Sequence, residues 1–316
     1  GFNNLCRHRG VEVVRGAGQA KEFMCPYHGW LYGLDGKLIG APHSRDVENF
    51  DFSNCQLPRI KVDTWGGYVF VNLDNNCQSL ADYLDEDDVR ESAAFLQSED
   101  TRVSDRYVFE LPCNWKFVPE NIVDLYHVGV IHGGSFGAHF PINSIKYNLR
   151  EHGYNVKYES YTMAPEGATL FETMPWLRGK VDEHFAWSTW IRPTTSLFAR
   201  HDLLETWVVL PLGPELTQIT VYTLLPEEYF ERPAFAQMNK IYADFIRLVA
   251  DEDRAMLESL QNAARSRNYA PGPTVKLECG IHQLLNYYMD MLFGKDNQAA
   301  RRRRDDGAKY FMREQT

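Results

Sequence analysis

Two short segments near the start of the chain each place one cysteine close to one histidine. Cys6 and His8 form the first pair, and Cys25 and His28 form the second. A single pair of this kind is usually structural, but two matched pairs within 23 residues indicate a shared metal site. Thiolates and imidazoles suit either a tetrahedral zinc ion or a 2Fe–2S cluster in which two cysteines bind one iron and two histidines the other.

The distribution of the ligands separates these two kinds of site. Zinc motifs usually bring like ligands together along the chain, cysteine with cysteine and histidine with histidine. Here each segment supplies one ligand of each type. The pattern therefore favours the 2Fe–2S cluster, with structural zinc as the alternative.

A second group of candidate ligands contains His127 and His132. The sequence predicts a helix from Trp115 to His132, which Gly133-Gly134 ends. On a regular helix, two histidines five residues apart point about 140° away from each other. They can bind one ion only if the helix distorts or ends near the second histidine, and the two glycines permit this. Otherwise they are two partly buried, hydrogen-bonded histidines.

Both groups resemble the motifs of one family. The segments Cys6–Gly10 and Cys25–Trp30 resemble the Rieske signature, and Asn114–His132 resembles the mononuclear-iron motif of the Rieske non-haem iron oxygenases. The resemblance covers essentially the whole chain except the first strands of a Rieske domain, so we expect a chain truncated at its N-terminus. It implies an α subunit with a Rieske 2Fe–2S cluster and a mononuclear Fe(II), the latter bound by His127 and His132.

The resemblance also implies a carboxylate ligand for the iron, because such sites use two histidines and one carboxylate and leave positions open for O₂. The acidic segment on the predicted helix after Arg232 matches the one that supplies it in the family, and this match selects Asp253. Glu252 and Glu258 are the alternatives. Asp251 and Glu252 are otherwise expected to be solvated, so Glu252→Ala should be nearly silent.

Asp124 lies one helical turn before His127 and can reach the outer nitrogen of that ring. In the family the matching aspartate connects the iron-binding histidine to a Rieske histidine of the neighbouring subunit, so Asp124 is expected to bridge His127 and His28 in electron transfer. Three residues beside the iron motif are candidates for the substrate pocket: Phe117, Asn121 and Ile122.

The chain is predicted to form an α+β protein with three segments. A small all-β Rieske domain at 1–75 is followed by a connecting helical segment at 76–101. A catalytic domain at 102–316 has an antiparallel sheet covered by helices, of the helix-grip type.

Local patterns predict the elements of these domains. In the first domain they indicate a hairpin turn at Asp35-Gly36 and a buried strand over Gly67–Leu73. In the second they indicate long helices from Arg232 to about Ser266 and from Leu277 to Phe293. The predicted strands of the second domain are Arg106–Leu111, Asn155–Tyr161, His184–Ile191, Thr206–Leu210 and Gln218–Leu225.

Composition excludes several other classes of protein. The 316 residues are 44% hydrophobic and 24% charged, as in an ordinary soluble protein of about two domains. The net charge of −10 disfavours nucleic-acid binding, and no run approaches the roughly 20 apolar residues of a membrane span. Six cysteines are too few for a disulfide scaffold and indicate a reducing compartment, so we expect a cytoplasmic protein.

The resemblance implies the oxygenase component of a multicomponent system. A separate NAD(P)H-dependent reductase, with or without a ferredoxin, would supply electrons, because the chain has no dinucleotide-binding fingerprint. The usual outcome in the family is cis-dihydroxylation of a small aromatic substrate by O₂, as in aromatic hydrocarbon catabolism. The alternatives are a monooxygenase or demethylase acting on an aromatic acid or quaternary amine, and a Rieske electron-transfer protein without enzymatic activity. A homotrimer is expected, with or without a small β subunit.

Overall fold

The computed structural model describes residues 1–270 and 272–294. The chain divides into two units, Gly1–Asp82 and Tyr83–Thr316. This division falls within the connecting segment predicted at 76–101. The last part of the predicted catalytic domain, residues 295–316, lies outside the described residues.

The first unit contains two small antiparallel sheets. At the predicted Asp35-Gly36 turn, Gly36 has a φ of 81°, a left-handed conformation that glycine adopts at little cost. The first sheet has the order β1-β2-β3 and the second pairs β4 with β5. The strands are β1 (Phe23–Met24), β2 (Leu31–Tyr32), β3 (Leu38–Gly40), β4 (Lys61–Trp65) and β5 (Tyr68–Asn72).

The predicted strand over Gly67–Leu73 is present as β5, but it is not buried. Val69 and Val71 are 69% and 65% exposed. The strand belongs to a two-stranded sheet in which β4 is its hydrogen-bonded neighbour. Tyr68 and Phe70, on the other face, are half-buried, so the prediction of a buried strand was wrong for the face that carries the two valines.

The second unit is built on a seven-stranded antiparallel sheet with the order β6-β12-β11-β10-β9-β8-β7. Each of the five strands predicted in this domain is present. Two strands were missed: β7, which has four residues at the sheet edge, and β10, which begins with polar residues. The strands are β6 (Thr101–Leu111), β7 (Lys146–Leu149), β8 (Tyr154–Glu159), β9 (Phe185–Ile191), β10 (Thr195–Arg200), β11 (Leu204–Gly213) and β12 (Leu216–Pro226).

Helices cover this sheet, as predicted. The long helix α5 buries Phe245 and Val249, which share one face, against a core that includes Ile219 of β12. The helix α3 packs against both α5 and α6, which brings the iron motif next to the acidic segment of α5. The helices are α1 (Leu80–Asp85), α2 (Val89–Ser92), α3 (Phe117–Val123), α4 (Val128–Ile131), α5 (Phe235–Ala264) and α6 (Cys279–Phe293).

The continuous helix predicted from Trp115 to His132 is not present. The segment forms two short helices, α3 and α4, separated at Asp124, which has extended backbone with φ −75° and ψ 98°. Apolar spacing runs through both pieces and therefore suggested a single helix. No helix among the described residues is long and apolar enough to cross a membrane.

Candidate metal centres

Two loops of similar construction hold the cysteine–histidine pairs of the first unit. In each loop a glycine four residues after the cysteine donates its N–H to the cysteine carbonyl: Gly10 to Cys6 at 2.8 Å and Gly29 to Cys25 at 3.0 Å. Both glycines have a positive φ, 76° and 69°, which a side chain would disfavour. The loops therefore present their ligands in matching orientations.

The four side chains of these loops converge as a mixed cluster site requires. The Nδ1 atoms of His8 and His28 lie 3.1 Å apart, so the two imidazoles face a common point. Both cysteines are buried and free, whereas both histidines are exposed. The ring of His8 stacks on Trp30, with centroids 4.9 Å apart. This donor set, with buried thiols and exposed imidazoles, fits a cluster with one iron at each end.

The hydroxyl of Tyr32 lies beside the thiol of Cys6 and affects its pKa. This hydroxyl lies 3.3 Å from Cys6 Sγ and accepts the Arg7 N–H at 3.0 Å. Burial raises the pKa of the Cys6 thiol, but hydrogen bonds from Tyr32 and from nearby backbone N–H groups outweigh it and lower the pKa overall. The pKa of Tyr32 itself is raised by burial, so its hydroxyl remains a protonated donor to the sulfur.

We expect Tyr32→Phe to make the reduction potential of the cluster more negative. A hydrogen bond to a ligand sulfur stabilises the reduced cluster, which carries one more negative charge. Its loss should shift the potential by on the order of 50 mV, as measured by redox titration of the visible absorption. The exposed Tyr27 provides a control: its hydroxyl has no described hydrogen bond to a cysteine, and Tyr27→Phe should leave the potential near the wild-type value. Equal shifts in both variants would contradict a direct effect on the sulfur.

The second centre lies at the two ends of the short helix α4. His127 immediately precedes α4 and His132 immediately follows it, so the helix ends at the second histidine, as a shared metal site requires. Their Nε2 atoms approach to 3.3 Å. Asp253 reaches the same point from α5, with its Oδ1 3.5 Å from His127 Nε2 and 3.3 Å from His132 Nε2.

These three side chains fit a bound cation. Asp253 Oδ1 is buried without a hydrogen-bond partner among the described residues. Burial lowers the pKa of His132, but Asp253 and Glu252 outweigh it and hold the pKa above its ordinary value. Two imidazole nitrogens and a carboxylate oxygen on one side are the donor set of a mononuclear non-haem iron.

Each histidine of this centre also faces a carboxylate with its outer nitrogen. Asp124 Oδ2 lies 3.3 Å from His127 Nδ1, although the two are not aligned as a hydrogen bond, and Asp124 Oδ1 accepts the Tyr126 N–H at 2.7 Å. Glu252 Oε2 lies 2.7 Å from His132 Nδ1. Such outer carboxylates fix the tautomer and the orientation of the ligand rings.

The expectation that Glu252 is merely solvated was wrong. Besides contacting His132, its carboxylate accepts a hydrogen bond from the Ser135 hydroxyl at 2.7 Å. Asp251 is exposed and pairs with Arg254, as expected for a solvated residue. Glu252 points toward the far side of His132 because adjacent residues of α5 diverge by about 100°, which separates it from Asp253.

Comparison with known proteins identifies the family. The family model described as Rieske [2Fe-2S] domain matches residues 1–51, and that of the ring hydroxylating alpha subunit (catalytic domain) matches residues 98–294. The chain belongs to the Rieske oxygenase α subunits. It therefore takes a Rieske 2Fe–2S cluster and a mononuclear iron as cofactors. Rieske oxygenases use O₂ and receive electrons from a reductase or ferredoxin.

Several relatives of this oxygenase act on quaternary amines. The oxygenase subunit of carnitine monooxygenase from Acinetobacter pittii is 30% identical over 85% of this chain and 70% of its own length. Chloroplastic choline monooxygenase from Beta vulgaris is 27% identical over 89% of this chain and 61% of its own length. A solved quaternary ammonium Rieske monooxygenase, studied for carnitine oxidation and inter-subunit electron transfer, aligns with a TM-score of 0.75 and 25% identity, covering 93% of this chain and 78% of that one.

A cavity adjoins the three candidate iron ligands of this oxygenase. Of the predicted pocket residues, Asn121 and Ile122 line it. Phe117, the first residue of α3, does not line the cavity and packs against the core instead. Aromatic side chains supply much of the wall: Phe109, Phe136, Tyr158, Phe198 and Trp207.

Two buried charges in this cavity were not identified from the sequence. Glu205 on β11 and Arg200 on β10 both line it and are 4% and 5% exposed. Strand β10 was not predicted, and the strand predicted over Thr206–Leu210 began one residue after Glu205. A charged residue next to an apolar strand pattern was the only available signal, and it did not indicate which face of the sheet is buried.

Proposed function

We propose that this oxygenase inserts one oxygen atom into a quaternary ammonium compound, rather than cis-dihydroxylating an aromatic ring. The overall change would be R–H + O₂ + 2 e⁻ + 2 H⁺ → R–OH + H₂O, with electrons relayed from NAD(P)H by a separate reductase. The observation that carries the proposal is a buried carboxylate, Glu205, in an aromatic-walled cavity beside the candidate iron ligands. Similarity to carnitine and choline monooxygenases supports it.

The carboxylate of Glu205 is suited to offset the positive charge of a cation bound in this cavity. One of its oxygens accepts a hydrogen bond from Trp207 Nε1 at 3.1 Å. Burial raises the pKa of Glu205, so a carboxylate there lacks enough local stabilisation and gains from a nearby positive charge. Phe198 lies directly opposite Glu205 on the neighbouring strand. Aromatic faces around a carboxylate form a surface that attracts a methylated ammonium.

A flat aromatic hydrocarbon would fit this cavity less well. It would occupy the apolar wall but leave the carboxylate of Glu205 buried without a positive charge in contact with it, which is costly. A trimethylammonium group combines an apolar surface with a positive charge and therefore satisfies both parts of the wall.

The residues around the cavity have distinct proposed roles. His127, His132 and Asp253 would hold the iron on one face, and when bound the iron supplies activation of O₂ beside the substrate. Glu252 and Asp124 keep the two histidine rings oriented. The aromatic wall limits access of water, and Glu205 positions the ammonium group so that the carbon to be oxidised faces the metal.

We propose that electrons reach this iron from the cluster of a neighbouring subunit through His28, Asp124 and His127. The carboxylate of Asp124 already lies beside His127, and His28 is exposed in its own unit. A solved relative was studied for inter-subunit electron transfer. A closed ring of identical subunits, here a homotrimer, provides such a repeated head-to-tail contact. The six free cysteines support our proposal of a reducing, cytoplasmic location.

Labelled oxygen tests the reaction directly. With a Rieske reductase, NADH and ¹⁸O₂, we expect the oxygenase to place one labelled atom in the product of carnitine, γ-butyrobetaine or choline. Naphthalene and benzoate should give no labelled diol. Two labelled atoms in an aromatic diol, with no turnover of the three amines, would overturn the proposal.

We expect Glu205→Gln to weaken binding of the quaternary amine selectively. The amide keeps the size of the side chain but removes the charge, so KM for the amine should rise about tenfold or more. A neutral isostere, 3,3-dimethylbutanol in place of choline, controls for shape, and its affinity should be nearly equal in the wild type and the variant. A parallel loss for both compounds would indicate a role in folding instead of charge recognition.

A further inference from the structure

We propose that Arg200 binds a carboxylate of the substrate, so that this oxygenase prefers zwitterionic quaternary amines to amino alcohols such as choline. This inference rests on the proposed function and narrows its substrate class. It depends on a different side chain from the one that recognises the ammonium group, and the two can be tested separately.

The guanidinium of Arg200 is buried but incompletely bonded. It donates to the Tyr161 carbonyl at 3.0 Å and approaches Met163 Sδ at 3.2 Å. A thioether sulfur is only a weak acceptor. The Nε of Arg200 is buried without a hydrogen-bond partner among the described residues. A guanidinium has five N–H donors in a planar fork, so this one retains the capacity to bind a carboxylate.

No described carboxylate forms an ion pair with Arg200. Glu205 and Asp202 are close enough for Arg200 to lower their pKa values, against the larger effect of burial, which raises both. Neither lies within 4.0 Å of an Arg200 nitrogen in the described residues. The carboxylate of Asp202 is bound by the Tyr242 hydroxyl and does not line the cavity. Arg200 and Glu205 therefore face the same cavity as opposite charges that are not in contact.

A zwitterion compensates both of these charges at once. Its ammonium group would lie near Glu205 and its carboxylate near Arg200, and each buried charge would gain a partner. The Arg200 guanidinium lies 5.7 Å from the ring centroid of Phe136, which stacks on His132 at 4.8 Å. The anionic end would accordingly bind on the Phe136 side of the cavity. A hydroxyl in place of the carboxylate would leave the guanidinium without its anion.

Calorimetric titration of the purified oxygenase can measure this preference without turnover. The probes are γ-butyrobetaine, its methyl ester, which keeps the ammonium but removes the negative charge, and choline. We expect the wild type to bind the acid about tenfold or more tightly than the ester. Arg200→Gln should bring this ratio close to one by weakening the acid, with the affinity for the ester nearly unchanged. Arg178→Gln, a change at an exposed arginine paired with Glu228, is the control and should keep the wild-type ratio.

The possible outcomes separate the two proposals. If the wild type binds the ester and choline as tightly as the acid, the role of Arg200 is refuted while the quaternary ammonium proposal stands. If the acid remains preferred in Arg200→Gln, another group binds the carboxylate and the inference is likewise refuted. If none of the three probes binds, both proposals fail. The comparison of acid with ester in the wild type holds even if the variant does not fold.

Discussion

Asp253→Ala is expected to lose the mononuclear iron while retaining the Rieske cluster. The substitution removes one of the three candidate ligands and the one carboxylate among them. Changes to outer partners of metal ligands alone cost about 10- to 100-fold in affinity. Loss of a ligand should therefore weaken iron binding by more than about 100-fold. Iron analysis should fall from three atoms per chain toward two, with the visible spectrum of the cluster intact.

Two variants on the same helix make this result specific. Asp251→Ala removes an exposed carboxylate that pairs with Arg254, and it should leave three irons per chain. Glu252→Ala removes the partner of His132 and should give an intermediate loss of iron affinity, about 10- to 100-fold. The order of effects, Asp253 above Glu252 above Asp251, follows from the contacts of the three carboxylates. If Glu252→Ala lost more iron than Asp253→Ala, our assignment of Asp253 as the carboxylate ligand would be wrong.

The contrast between Asp253 and Glu252 shows what sequence could predict at this site. The histidines and the acidic segment were identified through their resemblance to the family's motif, since the histidine pair alone did not distinguish a metal site from two hydrogen-bonded histidines. The role of Glu252 was not, since it depends on where His132 lies after α4 ends. That geometry arises from the end of α4 at His132 and from the packing of α3 against α5, which hydrophobic periodicity does not reveal. A one-residue difference on a helix changes direction by about 100°, and sequence alone did not determine what each direction faces.

The strands and helices could be predicted from the sequence more completely than the walls of the cavity. Strands such as β9 and β12 have enough β-branched and aromatic residues to be predicted, and α5 has a clear apolar face. The charged wall of the cavity depends on Arg200 and Glu205, which lie on adjacent strands and meet the cavity only through sheet pairing. Pairing between strands is a tertiary property. Cis-dihydroxylation of an aromatic substrate was the main expectation because it is the usual outcome in the family, whereas similarity to carnitine and choline monooxygenases favours the alternative of a quaternary amine.

Asp124→Asn is expected to abolish most turnover without emptying either metal centre. Asparagine can still accept the Tyr126 N–H with its side-chain oxygen, so the local backbone should be preserved. Its amide nitrogen, however, would then face the Nδ1 of His127, and a donor would oppose a donor. The carboxylate that we propose to connect His127 with His28 of a neighbouring subunit would be lost. Turnover should fall by about 100-fold or more, at the upper end of the effects of such outer partners.

Single-turnover kinetics can locate this defect. In the presence of substrate, O₂ should reoxidise the reduced cluster slowly in Asp124→Asn, although iron content and oligomeric state match the wild type. Glu252→Gln is the matched control, because it also replaces a carboxylate beside an iron-binding histidine but lies on no proposed path to the cluster. It should lower iron affinity, and once loaded with iron it should reoxidise its cluster faster than Asp124→Asn does. Equal reoxidation rates in the two iron-loaded variants, or full activity in a monomer, would exclude the path through Asp124, because only that path requires this one carboxylate and a second subunit.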